Sequence, residues 1–144
     1  MKKLLYLDDQ RNPFINGVHL NENEKQIYDL EWVTNYHEFR TWIFKYKLPD
    51  IVSFDHDLAP EHYTPEYFWD NYEESKKFQE WKSQYYKEKT GLDCARLLIQ
   101  YCKALGTDLP IIKVHSANPV GADNIKEVII DYNYKIKPCP HQKK

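Results

Sequence analysis

The sequence predicts one three-layer α/β domain: a parallel sheet, a helical insertion after the third strand, and no final helix. Three observations carry this. Short apolar runs stop abruptly at polar residues, as buried parallel strands do at a sheet edge (Leu7 before Asp8, Phe54 before Asp55, Val114 before His115). These runs alternate with segments of helical period, the pattern of a parallel sheet covered by helices. A chain of 144 residues fits a single domain, here 1–144 with an insertion at 61–90.

The first strand is read at residues 3–7, an apolar run ending at Asp8-Asp9. Residues 10–29 are polar, and Asn16-Gly17 between Phe14-Ile15 and Val18 suggests a hairpin turn instead of a helix. A second strand is expected at 30–33. Asn35 with Glu38 forms a capping-box start for a helix to about Lys47, with Phe39, Trp42, Ile43 and Tyr46 on one face. Pro49 ends it, and residues 51–54 form a third buried strand that delivers Asp55-His56-Asp57.

Residues 61–90 hold nine aromatics among seven acids and five lysines. Thr64-Pro65 is a suitable helix start, and Phe68, Tyr72, Phe78, Trp81 and Tyr85 fall near helical spacing, which favours packing over stacking on a nucleobase. Gly91 opens a further helix, with Leu92, Ala95, Leu98, Ile99, Cys102 and Leu105 on one face and Gly106 at its end. A fourth strand is expected at 111–114. Ile125, Val128, Ile129 and Tyr132 mark another helix, followed by a last strand at 134–136.

Composition narrows the function classes. A formal net charge of −2 argues against a protein held to nucleic acid by bulk electrostatics. Cys94, Cys102 and Cys139 are odd in number and form no C-x-x-C pair, so neither a disulfide framework nor a zinc site is expected. The apolar run after Met1-Lys2-Lys3 is too short for a signal peptide or a membrane span. A soluble cytoplasmic protein without membrane partners is the expectation.

The candidate chemistry gathers at the strand ends. Adjacent carboxylates such as Asp8-Asp9 repel unless a cation offsets them, and Mg²⁺ or another divalent cation held by Asp8, Asp9 and Asp55 does so while bridging to phosphate oxygens. Aspartate also favours turns and caps, so the bland reading stays beside it. His56 and Asp57 follow Asp55; His115 offers an acid or base near neutral pH, and Ser116 a hydroxyl for a phosphate oxygen. Asn118 and the amides after Gly121 stand at a helix start, where anions bind and where caps also form. Arg11 suits a phosphate or a salt bridge equally. His19, His37, His62 and His141 are read as surface or core residues.

The set Leu7-Asp8-Asp9, Asp55, Ser116-Ala117 and Lys137-Pro138, in this order at strand ends, resembles the receiver (flavodoxin-like) domains of two-component signalling. The resemblance implies an acidic metal pair in Asp8 and Asp9, a phosphoacceptor in Asp55, a phosphate-sensing hydroxyl in Ser116 and a strand-end lysine in Lys137. The chain departs from that pattern: no helix is evident after the acidic pair, about 30 residues intrude between Pro60 and Gly91, and the final helix is missing. The longer strings at residues 7–13, 53–58 and 114–121 are similar to the cyclic-phosphate-processing receiver-like domains. That likeness implies an enzyme acting on a cyclic phosphate of a nucleotide, an ADP-ribose derivative or an RNA end; the leading expectation is a phosphoesterase with His115 and His56 as acid and base, Asp57 orienting His56 or binding a sugar hydroxyl, and Arg11, Ser116, Asn118 and Lys137 holding phosphate. The competing expectation is a non-enzymatic module: a receiver phosphorylated on Asp55, or a binder of a nucleotide or of a protein partner through 61–90.

Overall fold

The computed structural model describes residues 2–15 and 28–136. Four parallel strands, β1 (Lys3–Leu7), β2 (Asp29–Val33), β3 (Ile51–Phe54) and β4 (Ile111–Val114), form one sheet in the order β2-β1-β3-β4. Leu7 lies beside Val33 and Phe54, and Phe54 beside Val114, so these strands end at one level and release their next residues along one edge. Chain order reverses between β1 and β3. In open α/β sheets the crevice outside the carboxyl ends at that reversal is where ligands bind.

Among the described residues the α-helices are, in chain order, α1 (Tyr36–Tyr46), α2 (Tyr72–Ser83), α3 (Gly91–Leu105) and α4 (Pro119–Asp131). Asn35 caps α1 by accepting from the Glu38 amide at 2.8 Å, while the Glu38 carboxylate takes the amide of Thr34 instead of that of Asn35, one residue earlier than the sequence pattern implies. The Thr90 and Asp93 capping box starts α3, and Gly106 ends it at φ 65°, a left-handed position suited to glycine. Leu5, Leu7, Val52 and Phe54 on one sheet face pack with Phe39, Trp42 and Ile43 of α1, Cys94, Ala95 and Leu98 of α3, and Ile125 and Ile129 of α4. On the other face Leu4, Tyr6 and Ile51 pack with Tyr28, Leu30 and Trp32. The hairpin expected at Asn16-Gly17 and the candidate residue Lys137 fall outside the described residues.

Two local expectations are corrected. No helix starts at Thr64-Pro65: Glu66–Phe68 make a single 3₁₀ turn, and α2 begins after Asn71, whose side chain accepts from the Glu74 amide at 3.0 Å. Asn71 supplies the cap that Thr64 does not, since the Thr64 hydroxyl is buried without a hydrogen bond among the described residues. No strand forms at 134–136, because α4 runs on into a π-helical turn at Tyr132–Ile136. Tyr132 is buried in the core and its hydroxyl donates to the Thr107 carbonyl at 3.1 Å, which keeps this stretch helical. No helix among the described residues is long and apolar enough to cross a membrane.

Candidate functional site

The end of β1 turns on Asp8. Its Oδ1 accepts the amides of Gln10 and Arg11, both at 2.9 Å, folding residues 8–11 into an Asx-type turn that brings the Arg11 side chain back over the strand end. Arg11 Nε then donates to Asp8 Oδ2 at 2.9 Å, and its terminal nitrogen stands 3.6 Å from Asp55. Trp32 Nε1 holds the Asp8 carbonyl at 2.8 Å. Asp8 is fully buried, and burial alone would raise its pKa. Hydrogen bonds from His115 and from the Arg11 and Gln10 amides, with the Arg11 charge, outweigh that and hold it below the usual range. Asp9 shifts upward through burial and the neighbouring Asp8 charge, and accepts the Tyr63 hydroxyl at 3.3 Å.

Asp55 leaves β3 beside Asp8. Burial first, and then the Asp8 charge, push its carboxyl up to about 7, with Arg11 and Ser116 pulling the other way. The next two residues diverge. Asp57 faces the cavity that Asp8, Arg11 and Asp55 line, whereas His56 faces a separate groove of about 480 Å³ beside Lys76, Lys89 and Arg96. His56 Nδ1 lies 2.7 Å from Asp57 Oδ1, so the imidazole braces the carboxylate from behind. Two glycines make room: a Cβ on Gly91 would fall 1.8 Å from the Asp55 carbonyl oxygen, and one on Gly121 would fall 2.3 Å from the His56 ring. The Gly91 amide uses that proximity to donate to the His56 carbonyl at 2.8 Å.

At the end of β4, His115 turns inward. Its ring stacks on Tyr6 with centroids 4.3 Å apart, Nδ1 meets the Ser53 hydroxyl at 2.7 Å, and Nε2 meets Asp8 Oδ2 at 3.1 Å. An ionised carboxylate only accepts, so Nε2 carries the proton in that bond. Ser116 Oγ accepts the Asn118 amide at 3.1 Å. The Asn118 side chain is committed within the protein: Nδ2 donates to Asp57 and Gln79, and Oδ1 accepts from Gln79 and from the Gly121 amide, each at 3.0 Å. The start of α4 is therefore capped by its own asparagine, and the Ala122 amide takes the Asn118 carbonyl at 2.8 Å.

These strand ends open on one cavity of about 570 Å³, within the usual size for small-molecule sites. Asp8, Arg11, Asp55, Asp57 and Asn118 line it from the sheet, and Tyr63, Trp69, Tyr72 and Gln79 from the insertion. Asp8, Asp55 and His115 bring one potential ligand atom each within 4.8 Å of one another; Asp9 is not in that group. The site fits a cation on its own evidence. Four carboxyl groups, those of Asp8, Asp55, Asp57 and Asp70, face one guanidinium in the cavity. The two buried carboxylates are oxygen donors of the kind hard divalent ions take.

Sequence reasoning singled out Asp8, Asp55, Asp57 and Arg11, which meet in the cavity, and His56 and His115, which stand behind its carboxylates. It missed Trp32 and Ser53, ordinary residues of strands, and Gln79, an amide on a mostly polar helix. His62, read as surface or core, is a buried brace: Nδ1 accepts the Leu58 amide at 2.9 Å and Nε2 meets the Glu88 carbonyl at 2.8 Å, tying the two ends of the insertion together.

Comparison with known proteins matches residues 3–131 to the family model described as the cyclic-phosphate processing receiver domain. The chain belongs to that family. No curated protein and no solved structure matches it.

Proposed function

We propose that this protein is a phosphoesterase that hydrolyses a cyclic phosphodiester on a nucleotide or ADP-ribose-type compound to a monoester. The observation that carries the reading is the meeting of Asp8, Arg11, Asp55 and Asp57 in one cavity at the strand reversal, within a family described as processing cyclic phosphates. A divalent cation held by Asp8 and Asp55 would supply charge stabilisation for phosphorus-bound oxygens when bound. Arg11, steadied by Asp8 and Asp55, and the Ser116 hydroxyl orient the phosphate group.

Asp57 accepts the proton of the attacking water. A new P–O bond forms to that water, the ring ester bond breaks, and the departing sugar oxygen takes a proton from solvent to become a hydroxyl while Asp57 returns its own to solvent, which regenerates the carboxylate. His56 and Asn118 are positioning residues that fix the Asp57 carboxylate, and His115 positions Asp8. The test is ring opening followed by ³¹P NMR. Replacing Asp57 with Asn is expected to cut kcat by about 100-fold or more, the lower range for a general base. His115→Ala is expected to weaken cation dependence before it touches kcat at saturating cation. Unchanged turnover in Asp57→Asn overturns its assigned role.

A second reading has one observation in its favour: Asp55 stands at the end of β3 within reach of Arg11 and Ser116, as a phosphoacceptor would. It requires acyl-phosphate formation from a small phosphodonor, abolished in Asp55→Asn, and no hydrolysis of cyclic phosphates.

A further inference from the structure

The aromatic residues of the insertion fall into two sets. Tyr67, Phe68, Phe78, Trp81 and Tyr85 make a continuous row of ring contacts with centroids 4.4 to 6.1 Å apart, the insertion's own packing. Tyr63, Trp69 and Tyr72 do not join that row and line the cavity instead. Helical spacing alone assigns Tyr72 to packing with the first set; its position on the cavity wall corrects that.

Each ring of the second set is anchored by its polar tip. Trp69 Nε1 donates to the Thr64 carbonyl at 2.9 Å, the Tyr72 hydroxyl to Asp123 at 2.7 Å, and the Tyr63 hydroxyl to Asp9 at 3.3 Å. These bonds satisfy the polar atoms and fix the rings, so their apolar surface is presented at little further entropic cost on binding. Trp69 remains 68% exposed although it lines a cavity, so a large apolar area is left uncovered among the described residues. Ala117, Pro119 and Val120 add further apolar lining. The cavity thus has an ionic end at the strand termini and an aromatic end on the insertion.

We propose that the insertion supplies a nucleobase subsite, with Trp69 as its principal stacking surface and Tyr72 and Tyr63 as its wall. The inference rests on the phosphoesterase reading and narrows it: the substrate carries an aromatic base within the same cavity as its cyclic phosphate. A base offers a flat π surface to an indole, and such stacking tolerates differences in base identity. Trp69 is then a specificity residue that acts on substrate binding, and the chemistry at Asp57 is untouched by it.

The experiment compares adenosine 2′,3′-cyclic phosphate with the base-free methyl riboside 2′,3′-cyclic phosphate, for the wild type, Trp69→Ala and Trp69→Phe. The wild type is expected to favour the nucleoside in kcat/KM by about tenfold or more. Trp69→Ala is expected to erase that preference through KM while leaving the base-free compound unchanged, and Trp69→Phe to keep most of it. Equal rates on both compounds, with Trp69→Ala altering neither, overturn the subsite and leave the phosphoesterase standing. If neither compound is opened, calorimetry with adenosine 3′-monophosphate decides: binding lost in Trp69→Ala sustains the subsite without the enzyme, and no binding by the wild type overturns it.

Discussion

Burial and the Asp8 charge raise the Asp55 carboxyl to about 7, whereas in an unfolded chain it titrates near about 4. Between those values the folded state holds a proton that the unfolded state has released. Stability from this group is therefore full below pH about 4 and falls as pH rises to about 7. Asp55→Asn should melt above the wild type at pH 8, with the gain shrinking to near zero at pH 4; a constant gain would contradict the assignment. Asp8 has the opposite sign, because its pKa is depressed: its contribution is present at neutral pH and fades as pH falls through the folded value. Asp8→Asn, which removes acceptors for Arg11 and His115, should cost about 3 kcal/mol at pH 7 in denaturant melts. A divalent cation must displace the Asp55 proton, so the rise in Tm that it produces should be larger at pH 8 than at pH 5.

At the scale of elements, the site depends on how closely α3 and α2 approach the strand ends. The Gly91 Cα sits against the Asp55 carbonyl, a backbone atom with no room to yield. Gly91→Ala should destabilise by about 3 kcal/mol or more, beyond the ordinary cost of overpacking, in the same melts. Gln79 locks α2 to the start of α4 through its paired amide bonds with Asn118. Gln79→Ala leaves part of a buried amide unpaired and should cost about 1–3 kcal/mol. Kinetics should then show a lower kcat, since Asn118 also holds Asp57. The strands and α1, α3 and α4 were legible from apolar runs, caps and period. The carboxylates were legible because acids placed directly after a buried run must face a strand end. Gln79 was not, since an amide on a mostly polar helix carries no mark of its partner 39 residues away. The direction of His56, by contrast, follows strand alternation: Asp55 and Asp57 face the cavity and His56 the opposite side, with Gly91 and Gly121 leaving room for that path.

On the scale of the whole molecule, a four-stranded sheet sets the acids at its chain reversal, and the insertion covers them with a partly aromatic wall. His62 and Glu61 fasten the insertion's far end, the latter by accepting the amides of Lys87 and Glu88 at 2.9 and 2.6 Å. The insertion is thus built as a fixed part of the site. The most direct test of the account is ³¹P NMR of the protein with a divalent cation and a panel of nucleoside 2′,3′-cyclic phosphates and cyclic phosphates of ADP-ribose. The account predicts conversion of a cyclic diester signal to a monoester, lost in Asp57→Asn while that variant keeps its melting transition. A folded protein that opens no member of the panel, and instead gains an acyl phosphate on Asp55 from a small phosphodonor, would contradict it.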